Sequence, residues 1–279
     1  MEGKFSRAWR LVKMSAAVLQ ADKKLLVYPV ISTFAMLILS AVFIIPLFGM
    51  GAINGSFSIY KPATLPFFIL FYLLLYTVII FSNSALVGAV IIQLNDRKPT
   101  IADGYRVAWN HIGAIIGYAF IASTVGIILN ILQEKLGILG KIVTFIADLA
   151  WNVITFLIVP VLVVEGTGPI EAVKRSAHLL KKTWGEQIIG NIGIGYFFGF
   201  ITMGMLFVFI PLVMYAQSIH MITLTILISV VGGFSFLLMI IISSTLDTVY
   251  RVILYRYATE GTTEHGFDEQ LLKSSFKQK

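Results

Sequence analysis

Long apolar runs constrain the fold of this chain more than any other feature. Each run is about twenty residues or longer and carries few charges, which is the length needed to cross a bilayer. Because lipid offers the backbone no hydrogen-bond partners, such segments span a membrane as α-helices. The pattern predicts an all-α, polytopic membrane helical bundle, a single membrane domain over residues 1–279. The six predicted transmembrane helices cover about 25–50, 65–93, 111–132, 142–164, 187–215 and 221–250.

The first run is expected to be a true span and not a cleaved leader. It is too long for the apolar part of a signal peptide, and no small-residue cleavage pattern follows it. Fifty-eight per cent of all residues are hydrophobic and only 13% are charged, which agrees with a membrane protein. The absence of cysteine excludes disulfides, thiolate nucleophiles and cysteine metal sites.

The net charge of +7 indicates which partners the chain can attract. Outside the apolar runs, the basic residues are not interleaved with aromatic residues that could stack on bases, so nucleic acid is not an expected partner. The lipid bilayer, with its anionic lipids, is the expected partner. A homo-oligomer or other membrane proteins are further partners that the sequence leaves open.

A polar, basic stretch from Glu165 to Trp184, EGTGPIEAVKRSAHLLKKTW, joins two apolar runs and predicts an amphipathic helix. Such a helix lies in the headgroup layer, with apolar residues in lipid and cations near anionic headgroups. The alternative is a loop helix packed on neighbouring protein. The apolar stripe is Ile170, Val173, Ala177, Leu180 and Trp184. The candidate headgroup contacts are Lys174, Arg175, Lys181, Lys182 and Trp184.

Two other stretches share this design, and we call all three elbows: about 4–22, 99–110 and 169–184. The first elbow contributes Arg7, Arg10 and Lys13 as further candidate headgroup contacts. Each elbow precedes two spans, so a threefold repeat of helix hairpins is one interpretation, and three independent hairpins is the other.

The basic residues also predict the orientation of the chain. Eighteen of the 21 Lys and Arg residues lie in the elbows, the tail or the adjoining span ends, and the others are Lys61, Lys135 and Lys141. Since Lys and Arg favour cytoplasmic loops, the elbows, the tail at 259–279 and both termini are expected in the cytoplasm. The expected location is the cell membrane.

Three stretches resemble a known family: FSRAWRLVKMSAAVLQADKKLLVYPVIS, FLIVPVLVVEGTGPIEAVKRSAHLLKKTWG and VYRVILYRYATEGTTEHGFDEQLLKSSF. Together they are similar to a family of prokaryotic six-span membrane proteins of unknown function. That resemblance implies the bundle and the cytoplasmic elbows but no catalytic residue. The central stretch also resembles the membrane domain associated with glycerophosphoryl diester phosphodiesterases, although no phosphodiesterase domain is present.

Polar residues at membrane depth are the candidate site. Asp148 lies inside the fourth predicted span, with Asn152 four residues further on the same helical face. A protonated Asp148 could hydrogen-bond to Asn152 or to Asn130 and hold helices together, or it could handle ions or protons. Glu165 is placed to anchor the central elbow by pairing with a basic residue, and Asp247 and Arg251 are spaced for a pair within one helix.

Signatures of enzymes are missing from the sequence. The histidines are dispersed, without metal-ligand spacing, and no phosphate-binding loop is recognisable. We therefore expect no enzyme, metal or cofactor. The function expected first is a non-catalytic scaffold, assembly or lipid-organising module. The alternative is a channel or transporter with its polar site around Asp148 and Asn152.

Overall fold

The computed structural model describes residues 13, 15–54, 65–135, 137–184 and 194–260. These residues contain helices and no strand, which confirms the predicted all-α helical bundle. A short 3-10 helix, Lys23–Leu26, precedes the first long helix. The α-helices are α1 (Val27–Asn54), α2 (Leu65–Leu94), α3 (Ile101–Asn110), α4 (Ile112–Lys135), α5 (Gly137–Ile154), α6 (Ile158–Val164), α7 (Pro169–Trp184), α8 (Ile194–Ser218) and α9 (Ile222–Glu260).

Within the described residues, 6 segments are long and apolar enough to cross a membrane. The chain is therefore a multi-pass membrane protein, as the apolar runs predicted. The first helix continues to Asn54, beyond its predicted end, and α9 continues to Glu260. Residues 187–193 of the fifth predicted span lie outside the described residues. The segments are Lys23–Pro46, Pro66–Leu94, Ile112–Lys135, Gly140–Val164, Phe198–Ser218 and Ile222–Glu260.

The chain divides into two compact units, and one of them contains α8 and most of α9. Of the described residues, this unit comprises 13, 15–26 and 194–250. Helices α8 and α9 are joined by a tight turn in which His220 has a φ of 55°. Gly232 of α9 lies against the ring of Phe209, where an added Cβ would approach the ring to 2.7 Å. The absence of a side chain there allows the two helices to pack closely.

Of the described residues, the other unit comprises 27–54, 65–135, 137–184 and 251–260, and it is built around α2. Helix α2 contacts α1, α3, α4 and α6. Most residues of its second half are buried, and this half is rich in small residues that let neighbouring helices approach. The fully buried residues of this segment include Ala85, Leu86, Val87, Ala89 and Val90.

The elbow helix α3 is fixed at its start and along one face. Thr100 and Asp103 form a capping box, and hydrogen bonds from Thr100 lower the pKa of the Asp103 carboxyl. Gly104 faces α2 so closely that an added Cβ would lie 2.5 Å from the backbone oxygen of Ala85. A Cβ added to Gly88 of α2 would lie 2.8 Å from the side chain of Val107. Helix α3 is therefore docked on α2 and is not a loosely attached loop.

Two elbows meet at the same end of this unit. Helix α3 leads directly into α4, and Pro169 at the start of α7 packs on Gly117 of α4. A Cβ on Gly166, just before α7, would lie 3.7 Å from the Nε2 atom of His111, the residue between α3 and α4. We call this end of the unit the elbow end.

Candidate functional site: the junction at the elbow end

The fourth span is broken near its elbow end. Helix α5 ends at Ile154, helix α6 begins at Ile158, and the residues between them form a turn. Pro160 has no backbone N–H to donate to the carbonyl of Phe156, four residues earlier, and its ring crowds that carbonyl. A continuous α-helix through this point would therefore lose a hydrogen bond and gain a clash. The break leaves backbone polar groups that need other partners.

Ser176 of α7 serves two backbone groups at the break. Its hydroxyl donates to the carbonyl oxygen of Ile154 at 2.7 Å and accepts from the backbone N–H of Leu157 at 3.1 Å. Ser176 is completely buried. A serine in this position therefore fastens the elbow helix to the broken span through hydrogen bonds that no apolar residue could replace.

Arg251 of α9 donates a hydrogen bond to the Phe156 carbonyl, which receives none from Pro160. Its Nη1 atom donates to the oxygen of Phe156 at 3.0 Å, and its guanidinium carbon lies 4.4 Å from the centre of the Phe156 ring. The guanidinium thus combines a charge-assisted hydrogen bond with a cation–π contact. The last turns of α9 are held against the broken span at this point.

Glu165 lies just after α6 and connects α7 with α9. Both of its carboxylate oxygens accept from the Nε atom of Arg175, at 3.0 and 3.1 Å. Its Oε1 atom also accepts from the Tyr255 hydroxyl at 3.1 Å. The predicted role of Glu165 as an anchor of the central elbow is confirmed, and the basic partner is Arg175. The pair is partly open to solvent, with 42% of the Arg175 side chain and 22% of the Glu165 side chain exposed.

Arg256 ties α9 to the end of α2. Its Nη1 atom donates to the Leu94 carbonyl at 3.4 Å and to the Asn95 side chain at 3.3 Å, and Glu260 accepts from the same guanidinium. The junction therefore joins α2, the broken fourth span, α7 and the last turns of α9. We use the term junction for Ser176, Glu165, Arg175, Arg251, Tyr255 and Arg256 together with the turn at 155–157.

Helix α7 has one face packed on protein and another face that is exposed. The buried face differs from the predicted lipid stripe, because Leu180 is buried whereas Ile170 is 62% exposed. Lys174 and Lys181 are exposed, as a headgroup contact requires, whereas Arg175 is held by Glu165. The residues packed on protein are Ala172, Ser176, Leu179 and Leu180.

Several other predicted headgroup contacts are only partly described. Lys13 is exposed. Arg7 and Arg10 lie outside the described residues, as do the side chains of Lys182 and Trp184. On the second elbow, Trp109 is 67% exposed and packs edge-on against Phe81. An exposed tryptophan at a helix end is typical of the membrane interface.

The intramembrane candidates Asp148, Asn152 and Asn130 are all exposed. The Asn152 amide donates to the backbone oxygen of Asp148 at 2.9 Å, and not to the carboxylate that the sequence suggested. Tyr76 of α2 is close enough to Asp148 for an electrostatic interaction. These residues are not part of the junction.

Ser176, Arg251, Tyr255 and Arg256 were not predicted as junction residues. Arg251 was expected to pair with Asp247, four residues earlier, and its contact with the fourth span joins residues far apart in sequence. Pro160 was the one available signal, because a proline inside an apolar run implies an unpaired carbonyl four residues before it. Nothing in the sequence indicated which side chain would reach that carbonyl.

The junction holds charges and polar groups in fixed positions. Ser176 is engaged by two backbone groups, and Glu165 is engaged by Arg175 and Tyr255. Among the described residues, no three His, Asp or Glu side chains gather as a metal site would require. This arrangement can couple four elements mechanically and keep the elbow helix in place.

Comparison with known proteins identifies one family. Residues 63–267 match the model of DUF6159, a family of unknown function. No curated protein and no solved structure matches the chain. The resemblance of the central stretch to the membrane domain associated with glycerophosphoryl diester phosphodiesterases is not confirmed.

Proposed function

This chain belongs to the DUF6159 family of unknown function, and we propose that it is a non-catalytic, lipid-organising scaffold of the cytoplasmic membrane. In this proposal both termini and all three elbows face the cytoplasm. The elbows bind anionic lipid headgroups of the inner leaflet, and the junction keeps the central elbow at a fixed height. No cofactor is needed for this role.

The observation that carries the proposal is the division of α7 into a docked face and an open face. Ser176 and its buried neighbours bind the helix to protein, while Lys174, Lys181 and Ile170 remain exposed. An apolar residue and cations on the open face of an interfacial helix fit the boundary between acyl chains and headgroups. A helix that only capped the bundle would have no need for an exposed isoleucine.

The second elbow supports the same interpretation. Its docked face contains Gly104 and Ala108, and its open side carries the exposed Trp109 and Arg106, whose Nη1 atom lies 3.5 Å from the Asp103 carboxylate. Lys174, Lys181 and Arg106 would each attract anionic lipid by roughly 1 kcal/mol. Three such cations together would favour anionic over neutral lipid by about two orders of magnitude.

The proposal is tested by measuring which lipids remain on the protein. The full-length chain would be purified from membranes containing phosphatidylglycerol and phosphatidylcholine, and the bound lipids counted by native mass spectrometry. We expect wild type to be enriched in phosphatidylglycerol and the Lys174→Gln, Lys181→Gln, Arg106→Gln triple variant to lose most of that enrichment.

A matched control removes positive charge from the opposite end of the spans. Lys135 and Lys141 are exposed residues at the far ends of α4 and α5, so Lys135→Gln with Lys141→Gln should retain the enrichment. Equal enrichment in wild type and in the triple variant would contradict the proposed role of the elbows.

A channel or transporter is the second candidate, and the broken fourth span favours it. Discontinuous helices build ion and substrate sites in many transporters, and Asp148 lies in the same span, close to Tyr76. Proton and ion flux into liposomes containing the purified chain would test this function. Flux that disappears in Asp148→Asn would favour transport over the scaffold.

A further inference from the structure

Asp148 occupies an unusual position for a carboxylate in a membrane helix. It lies eight residues after Gly140, where the fourth span begins, which is about 12 Å along the helix axis in a hydrocarbon core about 30 Å thick. Its side chain is exposed. A carboxylate facing lipid near the middle of a span is unfavourable by about 2.5–3.5 kcal/mol. Aspartate also lacks the long stem with which lysine reaches the interface.

Among the described residues, no cationic side chain pairs with the Asp148 carboxylate. The side chain of Asn152 is engaged by the backbone oxygen of Asp148. Tyr76 is a neutral neighbour, since a phenol is protonated at physiological pH. An ionised Asp148 would therefore lack a partner of opposite sign among the described residues.

The residues around Asp148 form a face suited to another helix. The fourth span packs on its own unit through Thr144 of α5 and Thr155 in the turn after α5, both of which are buried. The stripe next to Thr144 around α5 is exposed, and Phe145 is the most open of its apolar members at 70%. Positions three and four residues apart share one side of a helix, as in helix–helix recognition. This stripe, the α5 face, consists of Ile142, Phe145, Asp148, Leu149 and Asn152.

We propose that the α5 face docks a transmembrane helix of another protein, one that carries Lys or Arg at the depth of Asp148. An ion pair would relieve the unfavourable burial of the carboxylate, and Ile142, Phe145 and Leu149 would supply packing around it. This inference goes beyond the proposed lipid contacts and rests on a different surface, so either can fail without the other.

A second copy of the chain fits this face poorly. In a two-fold symmetric pair, Asp148 would lie opposite Asp148, and like charges at close range repel. The described basic residues nearest this half of the spans are Lys135 and Lys141, which lie at the ends of their helices and not at the depth of Asp148. The partner helix must therefore bring its own cation.

The test uses a synthetic helix in place of the natural partner. Full-length protein labelled with a fluorescent donor would be reconstituted in phosphatidylcholine vesicles with acceptor-labelled polyleucine helices. One helix carries a single lysine at the depth of Asp148, and the other carries leucine there. We expect the lysine helix to bind wild type about tenfold or more tightly than the leucine helix, and the preference to vanish in Asp148→Asn.

Charge reversal and a matched control keep the result interpretable. Asp148→Lys should prefer a polyleucine helix that bears aspartate, whereas Glu134→Gln, at the end of α4, should behave as wild type. A lysine preference that survives in Asp148→Asn would overturn the proposal. So would efficient disulfide formation between two copies of Phe145→Cys, because a second copy would then cover the face.

Discussion

Replacement of Ser176 by alanine probes the junction most sharply. The hydroxyl is completely buried, donates to Ile154 and accepts from Leu157 at the break in the fourth span. Leaving a buried backbone group without its partner costs about 1–3 kcal/mol, so the two groups together predict a loss of about 2–6 kcal/mol. Alanine is the better helix former by a few tenths of a kcal/mol, which offsets little of this loss.

The change in the free energy of unfolding would be measured by denaturant titration in mixed lipid–detergent micelles. Ser235→Ala is the matched control, because its exposed hydroxyl donates to the Val231 carbonyl within its own helix. That carbonyl lies inside a regular helix, so little change is expected. Ser176→Thr, which keeps the hydroxyl, should lie between wild type and Ser176→Ala.

Equal changes of the unfolding free energy in Ser176→Ala and Ser235→Ala would contradict the predicted role of the Ser176 hydroxyl. Equal effects would mean that the turn at 155–157 satisfies its own backbone groups, or that α7 is not fastened to it. A loss of stability in Ser176→Ala that Ser176→Thr fails to recover even in part would point to packing, and not to the hydroxyl.

Three further outcomes follow from individual contacts. Gly104→Ala should lower the unfolding free energy by about 1–3 kcal/mol, because its Cβ would press on the backbone of α2, whereas Gly204→Ala, with open space around it, should be neutral or slightly stabilising in the same titration. Arg251→Lys should cost about 1–2 kcal/mol through loss of the hydrogen bond and ring contact at Phe156, and thermal unfolding in micelles would measure it. Because its folded pKa is lowered, the Asp103 carboxylate stabilises the fold above the unfolded value of 3.8, and this contribution is lost as pH falls through the folded pKa. Asp103→Asn should therefore flatten the dependence of stability on pH in that acidic window, and unchanged acid titration curves would contradict it.

The sequence was sufficient for those features that depend on local pattern. Apolar runs of membrane-spanning length predicted the six spans, and the Gly-Pro start of the central elbow predicted α7 from Pro169 to Trp184. Glu165 was correctly given a basic partner on the elbow, because both lie close together in sequence.

The remaining features depend on contacts between distant segments. Ser176 and Arg251 hydrogen-bond to backbone groups at the break, and no pattern in the neighbouring sequence predicts these contacts. The predicted lipid stripe of α7 included Leu180, which packs on protein, because helical spacing defines stripes but does not state which one faces protein. Asp148 stood out by its charge, but its exposure could be learned only from the fold.

The proposed bundle is tested most directly by finding the side of the membrane on which each elbow lies. The chain has no cysteine, so Arg106→Cys, Lys181→Cys and Lys135→Cys each introduce a single reactive thiol. A membrane-impermeant maleimide added to intact cells should label Lys135→Cys, and it should reach Arg106→Cys and Lys181→Cys only after the cells are opened. Labelling of the two elbow positions from opposite sides, or of either one in intact cells, would contradict a bundle whose elbows share the cytoplasmic face.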